Sequence, residues 1–375
     1  MDRDFDVFDG ATGHRDERTD EPEAFVTHDT STPVAPGASS EQLPESLRET
    51  AERARAFFDD ARAENTRRSY ASDFEDFATY CRVEAGGLSA LPATPATLTL
   101  YITDLEGRGM KPSTIQRRLA AISQTHRRAG YESPADNELV RETFKGIKRN
   151  VGTRRREAAP LTLPVLRRVF EAMEVEASAA AGHKSESVRV SKHAAALRDR
   201  ALLLVGFAAA LRRGEVSALL VGDVSEIEAG MKLLLRRSKT DQEGSGELVG
   251  LPYGSQLDTC PVRNLRRWLS YRSVEDVPDA PLFCSVDRHG KLGATNITPD
   301  AIHKLVKKRV EAAGFDPALY SGHSLRAGLP TTASGMGVGI ESWMRQSRHK
   351  TFAVAARYAR ETDLFKDNAA AMVGL

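Results

Sequence analysis

The chain is poor in cysteine, in aromatic residues and in long apolar runs. Its three cysteines, Cys81, Cys260 and Cys284, stand far apart in 375 residues. An odd, sparse set excludes a disulfide framework and fits a reducing cytoplasm, and no pair has zinc-ligand spacing. Aromatic residues make up only 6% of the chain while 28% of positions are charged, a balance that suits a helix-rich protein with a polar surface. No apolar run approaches the roughly eighteen residues of a membrane span. The acidic, polar N-terminus has no apolar stretch of the secretory kind. Membrane proteins, secreted disulfide scaffolds and zinc modules are thereby set aside. What the chain does have is 41% hydrophobic residues, enough to bury a core in about two or three domains.

The net charge is also small, at +1, but it is unevenly spread. Residues 1–50 hold 13 acidic and 4 basic side chains, a balance of −9; the remainder, with 39 acidic and 49 basic, stands at +10. An acidic arm on a basic body is a common arrangement in nucleic-acid binders.

Residues 1–45 are rich in Asp, Glu, Thr, Pro and Ser without periodicity, and "STPVAPGASS" has linker composition, so they read as a disordered acidic tail. Residues 46–150 read as a helical domain. In "NTRRSYASDFEDFATYCRV" the positions Tyr70, Phe74, Phe77 and Tyr80 or Cys81 recur at helical spacing. "ATPATLTLYITDLEGRG" has Thr94 or Thr97 as a cap and Gly107 or Gly109 as a stop. In "KPSTIQRRLAAISQTHRRAG", Ile115, Leu119, Ile122 and Ala129 make an apolar stripe, with Arg117, Gln124 and Arg128 on another. Arg117 and Arg128 are eleven residues apart, three turns and about 20°, which puts them on one basic face. "GIKRNVGTRRREAAPLTLPVL" then joins a basic run to Gly152, Pro160 and a fresh helix start at Thr162 with Pro164 in its first turn. Residues 151–161 are expected to form an exposed basic linker suited to a phosphate backbone. Arg117, Arg118, Arg128, Lys148, Arg149, Arg154 and Arg155 are the candidate DNA contacts.

Residues 162–375 read as a second domain. "AALRDRALLLVGFAAALRRGEVSAL" is a buried helix and a polar break; "MKLLLRR" and "GELVGLP" flank "SKTDQEGSG" and predict a β-hairpin. "EVEASAAAGHKSESVRVSKH" reads as an exposed loop or an extended helix end, and the remainder as mainly helical. His126, His183, His193, His289 and His303 have no motif around them and read as surface residues.

Four motifs follow in order: "ALRRGE", "RRSKTD", "GHSLRAG" and "RHKTFAVAARY". Together they hold what phosphodiester transfer without a metal requires. The transition state spreads negative charge over the non-bridging oxygens, and guanidiniums can grip those oxygens bidentately at any working pH; Arg212 and Arg326 are the candidates. A phenol with pKa about 10 is only ~0.1% ionised at neutral pH, so Tyr358 needs help to attack. His323 can take that proton and later return it. Lys239, at the hairpin tip, can protonate the leaving 5′-oxygen, and His349 can hydrogen-bond the charge on the phosphate.

These motifs resemble the tyrosine recombinase (phage integrase) family, whose signature runs Arg, Lys, His-x-x-Arg, His or Trp, Tyr. The resemblance assigns Arg212, Lys239, His323, Arg326, His349 and Tyr358 to it, with Glu215 as the acidic residue after the first arginine, buttressing the fold. "NTRRSYASDFEDFATYC" and "KPSTIQRRLAAIS" also resemble the family's helical core-binding domain, so the likeness spans about residues 46–375. It implies a mainly α fold with a small antiparallel β-sheet: an all-helical, SAM-like core-binding domain and a mixed α/β catalytic domain. It implies a site-specific DNA recombinase that works through a 3′-phosphotyrosyl link without cofactor, metal or ATP. Its partners would be double-stranded DNA and its own copies, as a tetramer that exchanges C-terminal segments, with no membrane. Several residues depart from the pattern. Arg348 stands where glycine is usual, Gly214 replaces a small polar residue, Pro330 falls inside an expected helix, and "GMGVGIE" is glycine-rich for a helical stretch. Two neighbouring classes stay open: a DNA-binding protein of this fold without recombination, and a DNA-relaxing enzyme of the type IB topoisomerase kind.

A basic clamp on DNA implies that affinity falls steeply as salt rises. Titrating a labelled duplex with the protein at about 50 and 200 mM salt checks this, and a flat response would count against the clamp.

Overall fold

In the computed structural model, the structure describes residues 44–60, 64–152, 158–236, 246–362 and 373. The acidic tail, Arg154, Arg155, Lys239 and nearly all of the segment after Thr362 lie outside the described residues. The chain divides into two compact units, Met1–Thr153 and Arg154–Leu375. Among the described residues no helix is long and apolar enough to cross a membrane.

The first unit is all-helical: α1 (Glu45–Asp60), α2 (Glu64–Val83), α3 (Pro95–Gly107), α4 (Pro112–Arg128) and α5 (Glu138–Val151). Thr94 caps α3 by accepting the Thr97 N–H at 3.1 Å, satisfying one of the donors a helix start leaves unpaired. On α3 the buried positions Leu98, Tyr101, Ile102 and Leu105 follow one helical face. They meet Phe77 and Cys81 of α2, Ile115 and Ile122 of α4, and Val140, Phe144 and Ile147 of α5.

The α4 stripe differs from its sequence reading at one end. Ala129 lies beyond the last turn and is exposed, and the next buried position is His126, with no exposure at all. The ring is satisfied at both ends: Nε2 accepts the Ala93 N–H at 2.8 Å, and Nδ1 lies 2.8 Å from the Ile122 carbonyl, to which its proton is donated. An imidazole bonded this way is neutral, and burial lowers its pKa. His126 is therefore a core residue rather than a surface one. His303 is half-buried, while His183, His193 and His289 are exposed.

The second unit begins with a long helical pair, α6 (Leu163–Ala181) and α7 (Glu186–Ala208). Only residues 182–185 separate them, so of the two readings of the low-complexity stretch, exposed loop or extended helix end, the helical one holds for most of it, as its alanine content favours. Next come α8 (Arg213–Ala218), β1 (Val224–Ile227), β2 (Gly230–Leu235) and β3 (Glu247–Pro252). The strands form one antiparallel sheet in the order β1-β2-β3, with Leu235 opposite Glu247 and Leu233 opposite Val249. Met231, Leu233, Leu235, Val249 and Leu251 alternate inward, as a half-buried hairpin requires. The predicted hairpin is present, while β1 and the pair β4 (Cys284–Val286) and β5 (Leu292–Asn296) were not foreseen. Strands of three to five residues are too short for a period to register.

The unit continues with α9 (Pro261–Arg272), which packs on β3, and with α10 (Pro299–Ala312), α11 (His323–Gly335), α12 (Ile340–Ser347) and α13 (Phe352–Thr362). The glycine-rich "GMGVGIE" is where α11 ends and α12 begins, rather than helix throughout. α11 continues for five residues past the buried Pro330. Residues read as the end of the linker are bonded to this unit: Ala159 N–H donates to the Leu319 carbonyl at 2.7 Å and Leu161 N–H to that of Ser324 at 2.9 Å. Leu161 passes so close to α11 that a Cβ on Gly328 would lie 2.2 Å from its carbonyl oxygen. The final glycine of "GHSLRAG" is thus required by a backbone crossing.

His126→Leu should cost about 1–3 kcal/mol, because the Ala93 N–H loses its acceptor inside the core. The sign of the pH effect follows from the lowered pKa. Unfolded histidine takes a proton as pH falls through about 6.5 while the folded ring does not, so the contribution is complete above that value and fades below it. Urea unfolding at pH 7.5 and 5 should show a larger loss for the native protein than for the variant.

Candidate active site

The site is built on the carbonyl end of α7. The carbonyls at a helix end have no partner within it, and here the last carbonyl of α7 and the next two in the chain each take one side-chain donor from elsewhere. Gln346 Nε2 of α12 donates to the Ala208 carbonyl at 2.8 Å. Arg348 Nη1, just after α12, donates to that of Ala209 at 2.9 Å, and Arg326 Nη1 of α11 to that of Ala210 at 2.8 Å. Two of the three are cations, which the negative end of a helix dipole favours. Ala210 turns the chain with φ of 46°, and Arg212 then caps α8.

Glu215, in the first turn of α8, holds this turn together. Its side chain is 4% exposed. Oε2 accepts the Arg212 backbone N–H at 2.9 Å and Arg348 Nη2 at 2.8 Å, and Oε1 accepts Arg212 Nη1 at 2.6 Å. One buried carboxylate thus binds two guanidiniums by charge-assisted hydrogen bonds. The neighbouring Arg213 is exposed, and nothing in the structure requires glycine at the exposed Gly214.

Arg326 points from α11 into the interior and is 2% exposed. Its Nη2 is buried and has no hydrogen-bond partner among the described residues. Burial, followed by the nearby Arg212 charge, lowers its pKa to about 10, so it remains protonated at neutral pH. The Tyr358 phenol acts on it in the opposite sense. His323 opens the same helix and is exposed. The turn before it is fixed by Gly322 N–H donating to His303 Nδ1 at 3.2 Å and His323 N–H to Ser321 Oγ at 3.1 Å.

His349 and Tyr358 close the group. Tyr358, on α13, is half-buried; its ring lies 5.3 Å from the His349 ring between centroids and edge-on to Trp343 at 6.5 Å. Ser347 Oγ lies 2.6 Å from both the Trp343 carbonyl and His349 Nδ1. A hydroxyl has one proton, and the carbonyl can only accept it. Nδ1 therefore carries the proton it shares with Ser347, and Nε2 is left as a lone pair. Burial first, then the charges of Arg326, Arg212, Arg348 and His323, push the His349 pKa down to about 4.

Arg212, Arg326, His349 and Tyr358 are thus brought together, with His323 near enough for its charge to reach His349. Lys239 lies outside the described residues between β2 and β3, whose first residue Glu247 stands 3.4 Å from Arg348 Nε. In the other unit, Arg118 is directed inward: it bonds Asp76, and Tyr101 Oη at 2.6 Å. Arg117 pairs with Asp73 at 2.7 Å but stays 45% exposed, and Lys148 and Arg149 are exposed on the last turn of α5. Lys148 lies over the Phe144 ring at 4.9 Å. Among the described residues, no cluster of three or more His, Cys, Asp or Glu is arranged to hold a metal.

The family model described as "Phage integrase family" matches residues 168–364, and that of "Phage integrase, N-terminal SAM-like domain" matches residues 57–130. The chain belongs to the phage integrase family of tyrosine recombinases. It is 34% identical over 312 residues to the integrase/recombinase xerD homolog of Selenomonas ruminantium, covering 82% of this chain and 85% of the relative. With recombinase cre of Escherichia phage P1 it shares 25% over 316 residues, 80% and 85% of the two chains. Its fold is similar to that of XerH site-specific recombinase bound to palindromic difH substrate, with a TM-score of 0.52 at 17% identity over 75% of this chain and 72% of the other. The lambda integrase fragment dimer bound to a COC′ core site has a TM-score of 0.51 at 14% identity, covering 84% and 95%. In this tyrosine recombinase an all-helical SAM-like domain precedes a mixed α/β unit, as the resemblance implied.

The sequence treated Arg348 only as a departure from pattern and passed over Gln346 and Ser347. No helical period marks them, since Gln346 and Ser347 close the last turn of α12 and Arg348 is its cap. Glu215→Ala should destabilise the fold by about 3–5 kcal/mol by leaving Arg212 without its counter-charge and the buried Arg348 with only the more exposed Glu247. Chemical unfolding at neutral pH measures it; a loss below about 1 kcal/mol would show that Glu215 is not the anchor described.

Proposed function

We propose that this chain is a site-specific DNA recombinase that cleaves and rejoins duplex DNA through a 3′-phosphotyrosyl link at Tyr358. The observation that carries the reading is Arg326, a buried guanidinium with an unpartnered nitrogen beside Arg212, His349 and Tyr358. A cation held this way suits an anion arriving from outside, and a non-bridging phosphate oxygen matches its geometry.

The chemistry divides among the side chains. Tyr358 Oη attacks phosphorus as the bond from phosphorus to the 5′-oxygen breaks. The phenol proton passes to an imidazole. His349 stands beside the phenol ring and keeps a lone pair on Nε2, so its placement supports it in the acceptor role assigned from sequence to His323. His323, exposed at the start of α11, serves the phosphate side instead. Arg212 and Arg326 hold the non-bridging oxygens, and Lys239 protonates the departing 5′-oxygen. Attack by a 5′-hydroxyl from a partner strand reverses each step, so one phosphodiester is exchanged for another.

Exchange between two sites calls for four protomers, with the segment beyond α13 passing to a neighbouring copy. Exposed Phe352 and Val354 on α13 support such packing. In the first unit, Arg117, Arg128, Lys148 and Arg149, with Arg154 and Arg155 after it, contact phosphates. Residues 1–45 are the tail, 46–150 the core-binding domain, 151–161 the linker and 162–375 the catalytic domain. The three cysteines are all free and buried, which suits work in the cytoplasm.

Incubation with a nicked suicide duplex should leave a covalent protein–DNA adduct on a denaturing gel, absent in Tyr358→Phe. Arg212→Ala and Arg326→Ala should each slow cleavage by about 10²–10³-fold while keeping most DNA affinity. Cleavage retained in either would remove that arginine from the phosphate-gripping pair. Supercoil relaxation without two-site recombination would assign the protein to the DNA-relaxing class.

A further inference from the structure

The residue before His349 has a backbone that disfavours any side chain. Arg348 adopts φ 55° and ψ 42°, the left-handed region where glycine is at home, and it closes α12 there. Its guanidinium does not reach outward for solvent; the side chain is 4% exposed. It is spread over three elements: the Ala209 carbonyl after α7, Glu215 Oε2 on α8, and Glu247 at the start of β3. A strained backbone persists where surrounding contacts over-determine it, and these contacts are the ones that do so.

We infer that Arg348 is a positioning residue for strand transfer, locking the turn that carries His349 to the turn that carries Arg212 through their shared carboxylate, Glu215. The inference rests on the recombinase reading above. Two consequences follow from the geometry. First, Glu215 is shared between Arg212 and Arg348, so the carboxylate does not answer to Arg212 alone, while Arg348 has a second, more exposed carboxylate in Glu247 at 3.4 Å. Arg212 therefore keeps more of its field for an incoming phosphate. Second, the register of His349 against Arg212 depends on one forked side chain, because Arg348 and His349 are adjacent in the chain. A lysine could supply the charge but not the rigid planar fork that meets the Ala209 carbonyl and Glu215 Oε2 in one fixed geometry.

The titratable and charged groups facing His349 are Tyr358 from α13, Arg326 and His323 from α11, Arg212 at the start of α8, and Arg348 from its own turn. Removing the Arg348 charge should raise the His349 titration from near pH 4, independently of any catalysis. The test compares Arg348→Met, Arg348→Lys and Arg348→Gly with the native protein in three measurements. These are the DNA dissociation constant, the single-turnover rate of adduct formation at saturating DNA, and the imidazole titration by NMR.

Arg348→Met should bind DNA within about twofold of native and cleave roughly ten- to a hundredfold more slowly, since misplaced reacting groups cost rate rather than affinity. Its His349 titration should move up. Arg348→Lys should restore the titration but only part of the rate. Arg348→Gly, free of the strained φ, should hold its melting temperature and remain slow. Native cleavage rate in the Met or Gly variant overturns the inference. So does an unmoved His349 titration in the Met variant, or rates that simply follow melting temperature across the three. Should the native protein form no adduct while the titration still moves as expected, the lock stands and the recombinase reading falls alone.

Discussion

A carboxylate removed from water and given to two guanidiniums is the contact on which the site depends. Glu215 accepts a backbone N–H and both arginine side chains. A lone buried carboxylate would take up a proton, and two lone buried guanidiniums would repel each other; joined, each holds the others in place. The trio also spans three parts of the chain. Arg212 and Glu215 belong to the turn after α7, Arg348 to the turn after α12, and Arg348 reaches β3 through Glu247.

The same region solves a backbone problem. Helix α7 ends inside the protein, where the carbonyls at its end cannot turn to water. Gln346, Arg348 and Arg326 each take one. Structural satisfaction and the placement of the candidate site are thus one set of bonds, and α11 and α12 are fixed against the end of α7 by Arg326, Gln346 and Arg348. Charge is left over all the same. Arg326 keeps an unbonded buried nitrogen, and the His349 imidazole is held neutral first by burial and then by surrounding cations. Functional sites commonly accept such local cost in return for a prepared environment.

The helical unit treats charge in the opposite way. Arg118 and Arg117 are matched by Asp76 and Asp73 on α2, so part of the basic face counted along α4 is spent inside its own fold. Composition alone overstates what remains for a nucleic-acid surface. His126 is a related case: a titratable ring absorbed into the core because two backbone groups meet both its nitrogens.

From the sequence alone came the helical class of both domains, the hairpin, the helix starts at Thr94 (with Thr97 as the alternative) and Thr162, and the ordered motif residues Arg212, Lys239, His323, Arg326, His349 and Tyr358. Those features are local: periodicity, capping chemistry and short spacings survive in one dimension. Tertiary structure decided what no spacing encodes. It turned Arg348 from an oddity into a buried partner of Glu215 and gave Gly328 its reason in the passing Leu161 backbone. It also chose the protonated nitrogen of His349 through Ser347. In each case the partner lies on another element or across a turn, and hydrogen-bond geometry and burial arise only once the chain has brought them within reach.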